Sequence, residues 1–159
     1  MSSDLLFIAQ ASVKSSIAVM LAAIGEIVAE RAGVLNLGVE GMMLTGALAG
    51  LFVGMASGNP WLACAGAMAA GGLAALVHAV FSISLRGNQV LSGLALTLLC
   101  AGLTNVLGRA LINAQGIRIA PLPVPWLSDI PVLGPVLFKQ PPLAYVAYML
   151  AVAGFVFLN

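Results

Sequence analysis

Charge is what this sequence has least of. Six Lys/Arg and five Asp/Glu leave only 7% of its 159 residues charged, and the formal net charge is +1. A nucleic-acid face must neutralise phosphates, and so few cations cannot build one, so nucleic acid is excluded as a partner. Cysteine is nearly as scarce. Cys64 and Cys100 lie inside apolar runs, with no CxxC spacing and no His pair nearby. They read as small buried hydrophobes, neither a disulfide nor a metal site, and leave the redox compartment open. His78 is the sole histidine. No GxxxxGK[ST] loop, HExxH pair, Ser/His/Asp grouping or carboxylate pair with a partner base occurs, so the chain offers no catalytic apparatus, no cofactor site and no metal site.

Apolar residues fill the space that charge leaves. They make up 62% of the chain, and the mean hydropathy is +1.12. A soluble domain of this size could not bury so much apolar surface, so the bilayer must be the solvent for most of it. The alternating polarity of barrel strands is absent, which leaves helices. The opening "MSSDLLF" carries Asp4 where a cleavable signal would carry positive charge, and the hydrophobicity continues well beyond it.

A helix needs roughly 20 apolar residues to cross the hydrocarbon. On that measure the sequence predicts an all-α, polytopic transmembrane bundle of about five spans in a single domain, 1–159. The first span covers 15–29, either begun earlier through "DLLFIAQASV" or preceded by an interfacial helix, because Lys14 interrupts the two. A second covers 41–56 and ends at the turn signal "SGNP". A third runs 61–85 from Trp61, a fourth about 90–112 after "RGNQ", and a fifth from about 141 to Asn159. Between the last two lies a Pro-rich extramembrane loop, 113–139, holding Trp126 and Asp129 and allowing short interfacial pieces. The second helix carries Gly46, Gly50 and Gly54, a small-residue ladder for close helix packing, and Gly66, Ala70 and Ala74 repeat it in the third.

Polar groups at membrane depth are costly and face protein or water. Glu26 and Glu30 share a helix face. Then "RAGVLNLGVEGMML", 31–44, sets Arg31, Asn36 and Glu40 among glycines that weaken a helix. Residues 31–41 read either as a broken or re-entrant segment, tolerated only inside protein or beside a wet cavity, or as a plain hairpin. On the fourth helix Gln89, Gly93, Thr97, Cys100 or Ala101, Thr104 and Gly108 recur every three or four residues, with Asn105 beside the stripe and Asn88 at its mouth. Such a face either lines a path for a polar solute or makes interhelical hydrogen bonds. His78 is either a hydrogen-bonded packing residue or a proton relay.

The blocks "GEIVAERAGVLNLGVEGMMLTGALAG" (25–50), "GNPWLA" (58–63) and "SLRGNQVLSGLALTLLCAGLTNVLGR" (84–109) resemble permease subunits of ABC importers for nucleosides and simple sugars. These belong to the superfamily of ribose-type and branched-chain amino-acid permeases. The resemblance implies a multi-pass permease of the bacterial cytoplasmic (inner) membrane, embedded in lipid. It implies three kinds of partner: cytoplasmic ABC ATPase subunits, a second homologous permease, and an extracytoplasmic substrate-binding protein or lipoprotein. ATP would be used by the ATPase, with no cofactor on this chain. It also implies a longer permease, of which these residues form the N-terminal half, with an ATPase-docking loop just after Asn159. It places the 113–139 loop outside, although Arg118 and Lys139 in that loop, with Arg109 near it, argue for the reverse under the positive-inside rule.

On this reading Asn36, Glu40, Asn88, Gln89, Thr97 and Asn105 are the candidate substrate-path residues, chosen by polarity and position. Two other readings stand beside it. One is an ion- or proton-coupled carrier using Glu26, Glu40 and His78. The other is a non-transporting assembly subunit whose glycine ladders only bind partners.

Overall fold

The computed structural model describes residues 3–114, 116 and 118–158. Among the described residues four helices are long and apolar enough to cross a membrane, and a shorter apolar helix follows. The chain is a polytopic helical membrane protein. Asn159, where the sequence ends the fifth span, lies outside the described residues.

The first helix, α1 (Ser3–Arg31), is one unbroken element of 29 residues. Lys14 does not interrupt it: lysine is a good helix former, and its side chain is exposed here, so the charge can snorkel. Asp4 in the first turn and Arg31 in the last suit the helix dipole. At about 1.5 Å per residue the helix reaches about 44 Å, longer than the hydrocarbon core is thick. It stops at Gly33, whose φ of +83° is open to glycine without strain. The Gly33 amide donates to Glu30 O (2.9 Å) and the Val34 amide to Ala29 O (3.0 Å), the paired closure that satisfies the last carbonyls of a helix.

Next comes α2 (Val39–Ser57), longer at both ends than the sequence predicts. Gly58, at φ +66°, closes it by donating to Gly54 O. The "SGNP" turn then starts α3 (Pro60–Ala79): the Asn59 side chain accepts from the Trp61 amide, and Pro60 occupies the first turn, where no amide is needed. Val80–Ser84 continue α3 as a wider π-turn. Asn88 caps α4 (Gln89–Gly108), which tightens into a 3-10 turn at Arg109–Leu111.

The Pro-rich loop is more ordered than the sequence predicts. It folds into β1 (Leu122–Pro123), a 3-10 turn at Leu127–Asp129, a short helix α5 (Leu133–Leu137) and β2 (Lys139–Gln140). The two strands pair antiparallel, Leu122 opposite Gln140. The last helix, α6, spans Pro142–Leu158.

The chain divides into two compact units. One joins the part of α1 up to Gly25 with the residues from Ile119 onward; the other is Glu26–Arg118. In the first, α6 lies against α1 so closely that a Cβ at Gly154 would come within 3.3 Å of Ile24. In the second, the glycine ladder does what its spacing predicts. A Cβ at Gly46 would meet Ala67 O at 3.1 Å, and one at Gly50 would meet Ala67 Cβ at 3.1 Å and Ala63 O at 3.2 Å. Gly54 is buried on the same helix, and Gly66 of α3 receives Val53. Small residues let α2 and α3 approach backbone to backbone, where dispersion replaces the hydrophobic drive that lipid removes.

Candidate functional site

Residues 32–38, between α1 and α2, are not helical. They connect α1 to α2 within the stretch, 31–41, that the sequence reads either as a broken segment or as a plain hairpin. Seven residues of non-helical backbone need hydrogen-bond partners from elsewhere in the fold. Those partners are the polar side chains that looked out of place in apolar helices.

Gln89, at the start of α4, contributes two bonds. Its Oε1 accepts from the Leu35 amide at 2.7 Å, and its Nε2 donates to Gly33 O at 3.3 Å. Its side-chain amide thereby stands in for the peptide of a neighbouring parallel strand, bracketing Val34. The next carbonyls on the same side are served in turn. His78 Nε2 of α3 lies 3.3 Å from Leu35 O, and Thr97 Oγ1 of α4 donates to Leu37 O at 3.1 Å. Gly33, Leu35 and Leu37 are alternate residues, so one edge of an extended segment is met by three side chains from two helices. On the other side, Glu26 Oε1 of α1 accepts from the Asn36 amide at 2.9 Å. Asn36 turns its own Oδ1 to the Gly38 amide (3.1 Å), and its Nδ2 reaches Met42 Sδ (3.6 Å).

His78 is 3% exposed and bridges two elements. A carbonyl can only accept, so Nε2 carries the proton toward Leu35 O. That leaves Nδ1 as the acceptor for Ser92 Oγ, 2.8 Å away. Ser82, also buried, donates to His78 O. The histidine is therefore a satisfied hydrogen-bonding residue in this structure. Its partner Ser92 had no signal in the sequence beyond being polar in an apolar run.

Glycines make the clamp possible. A Cβ at Gly93 would stand 2.9 Å from the Gly38 nitrogen and 3.0 Å from the Leu37 nitrogen. One at Gly41 would stand 2.8 Å from Thr97 Cα. Here α4 and the unwound chain touch through their backbones, which no larger residue would allow. The same face of α4 continues with Cys100, 4% exposed and beside Gly41, and with Gly108 near Leu48. The stripe is thus the side of α4 that meets α2 and the broken segment. Thr104 Oγ1 on that helix is buried and has no partner among the described residues, as is Glu26 Oε2.

The six candidate path residues divide accordingly. Asn36, Gln89 and Thr97 come together at the clamp. Asn88 is the cap of α4, its Oδ1 accepting from the Leu91 amide at 3.1 Å. Glu40 is exposed in the first turn of α2, where a carboxylate suits the dipole. Asn105 is exposed further along α4 and apart from the clamp. Glu26 and His78 belong to the clamp as well; the sequence assigned Glu26 to a coupled carrier and left His78 between a hydrogen-bonded packing residue and a proton relay. The readable signal was a set of four polar side chains, Glu26, His78, Gln89 and Ser92, in runs otherwise fit for lipid. A hollow of about 180 Å³ adjoins His78 and Ser92, but Val77, Phe81, Leu96 and Leu99 make its walls apolar. Among the described residues no three His, Cys, Asp or Glu side chains converge as a metal site would require.

Residues 8–158 match the family of branched-chain amino acid transport system permease components. The chain belongs to that family. Its four long apolar helices fit a multi-pass membrane member of that family. It is 41% identical over 143 residues to a putative glucose ABC transporter permease protein of Haloferax volcanii, covering 87% of this chain and 44% of that protein. It is 39% identical over 145 residues to a guanosine ABC transporter permease protein of Bacillus subtilis, covering 84% and 44%. A nucleoside ABC transporter permease protein of Lactococcus lactis is 34% identical over 146 residues, covering 81% and 44%. The chain therefore spans less than half the length of these relatives. No solved structure matches.

Proposed function

We propose that this chain forms part of the transmembrane path of an ABC importer for nucleosides or simple sugars. The observation that carries the reading is the family match along nearly the whole chain, with relatives named for glucose, guanosine and nucleoside transport. The hydrogen-bonded connection supports it: a non-helical segment held by side chains from three helices is the kind of backbone that lines a solute site between helices.

In this reading cytoplasmic ATPase subunits hydrolyse ATP, a second homologous permease completes the path, and an extracytoplasmic binding protein or lipoprotein delivers the solute. The chain itself holds no cofactor. Glu40 and Asn105, whose side chains are exposed, meet the solute directly. Asn36, Gln89 and Thr97 set the shape of the segment beside it, and Asn88 fixes where α4 begins.

The test is uptake of labelled guanosine, uridine and glucose by cells carrying the chromosomal gene, compared with cells lacking it. Deletion should abolish uptake of at least one of these solutes, and so should inactivation of the partner ATPase. Uptake that survives loss of the ATPase but collapses with a protonophore would overturn the reading in favour of a coupled carrier using Glu26, Glu40 and His78. Unchanged uptake of every solute would leave an assembly subunit.

A further inference from the structure

We propose that the 119–141 loop is a bilayer-interface anchor, seated in the lipid headgroup and upper acyl region through Trp126 and Val132. Two strained turns carry the argument. In one, the Leu127 amide donates to Pro125 O (2.9 Å) around Trp126 at φ +69°, ψ −41°. In the other, the Leu133 amide donates to Pro131 O (2.9 Å) around Val132 at φ +72°, ψ −59°. Both are γ-turns of the rare positive-φ hand, which neither an indole nor a β-branched side chain adopts without strain. The unit is repeated six residues apart, as Pro, strained apolar residue, Leu.

Both turns point their apolar side chain outward. Trp126 is 87% exposed, and Leu122, Ile130, Val132 and Leu133 are exposed around it. Val132 is partly covered, at 41% exposed, but the strain at Trp126 gains almost no contact inside the fold and indicates a contact outside it.

Lipid is the occupant that the surroundings favour. The loop is tied to the first turns of α6, because Tyr145 Oη accepts from the Gln140 amide (3.2 Å) and donates to Leu122 O (2.7 Å). That bond holds the β1–β2 ribbon at the depth where α6 enters the hydrocarbon, the level at which Trp and Tyr rings concentrate. The loop also meets many of its own backbone donors, although the buried Gln140 Oε1 has no partner among the described residues. Val124, Ser128, Gly134 and Phe138 donate their amides to other loop carbonyls, and Gln140, fully buried, donates Nε2 to Val136 O. Five prolines between 121 and 135 remove further donors. Asp129 and Lys139 are the only charges from 119 to 141 and cancel, so no charge pattern selects an ionic protein surface. The anchor is independent of which solute crosses.

The experiment uses the complete protein in nanodiscs of equimolar phosphatidylcholine and phosphatidylglycerol. Trp61 and any other tryptophan are replaced by Phe, so that Trp126 alone emits. Phosphatidylcholine brominated in its upper acyl chain should quench that emission roughly twofold or more, while aqueous acrylamide quenches it weakly, as an interfacial indole requires. A second protein, with Trp126→Phe and Val132→Trp, should behave the same. Emission that ignores bromine but yields to acrylamide places the loop in water and overturns the proposal. Emission that ignores both shows that protein covers the loop and overturns it equally.

Discussion

Replacing Gln89 with leucine removes the central element of the clamp. The variant leaves an apolar side chain, one atom shorter, and strands two backbone groups, the Leu35 amide bonded at 2.7 Å and the Gly33 carbonyl at 3.3 Å. A stranded group costs about 1–3 kcal/mol, and because Gln89 is only half-buried the low end applies, giving about 2 kcal/mol for the pair. The cost falls on the broken segment, because Thr97, His78 and Glu26 still hold their own partners. By the factor of ten per about 1.4 kcal/mol, local opening of residues 33–38 should become about 30-fold more frequent. Hydrogen exchange with mass spectrometry on the protein in nanodiscs reads this directly, as faster exchange in the peptide covering the segment and unchanged exchange in α2. Gln89→Glu should fall between wild type and leucine: one oxygen still accepts from Leu35, while the other confronts the Gly33 carbonyl. Wild-type exchange in the leucine variant would refute the reasoning, because it would mean that Gln89 holds nothing.

The other expectations follow from the same geometry. Gly93→Ala forces a methyl against the Leu37 and Gly38 amide nitrogens and should cost about 1–3 kcal/mol by overpacking, seen as earlier loss of the monodisperse peak on heating in detergent. Glu26→Gln keeps an acceptor for the Asn36 amide and should exchange like wild type there, whereas Glu26→Ala should expose that amide by about 1 kcal/mol or more. Ser92→Ala removes the group that meets His78 Nδ1; ¹⁵N NMR of the imidazole should show the Nδ1 resonance shifting as it loses its hydrogen bond, while the Leu35 carbonyl keeps the proton on Nε2. Gly50→Leu drives a side chain into Ala63 and Ala67 and should separate α2 from α3, abolishing the folded peak altogether.

Helix positions were legible because length and apolarity in lipid leave little else: every backbone donor must be met within its own span. The glycine ladder on α2 was legible for the same reason, since only small residues at fixed spacing allow α3 so close. Segment 31–41 could be flagged but not resolved. Whether "VLNLGV" forms a hairpin or a protein-buried break depends on side chains more than 40 residues away, His78 bonding to Leu35 and Gln89 bonding 54 positions back. Gln89 and Thr97 were picked out by polarity, which cannot distinguish a solute from a backbone carbonyl as the partner. The Pro-rich loop hid its order, because its strands are two residues each and its bonds run through Tyr145 of the next helix. Trp126 and Val132 at positive φ carry no sequence signature beyond the preceding proline.

The account rests on one contact above the rest, the Gln89 side chain acting as a strand partner for the broken segment. Magic-angle-spinning NMR in lipid bilayers can measure it, with ¹⁵N at the Leu35 amide and ¹³C at the Gln89 side-chain carbonyl. Dipolar recoupling should show the strong through-space transfer of a direct hydrogen bond, matching Leu35 N to Gln89 Oε1 at 2.7 Å. Absence of that transfer, with the rest of α4 folded, would contradict the clamp.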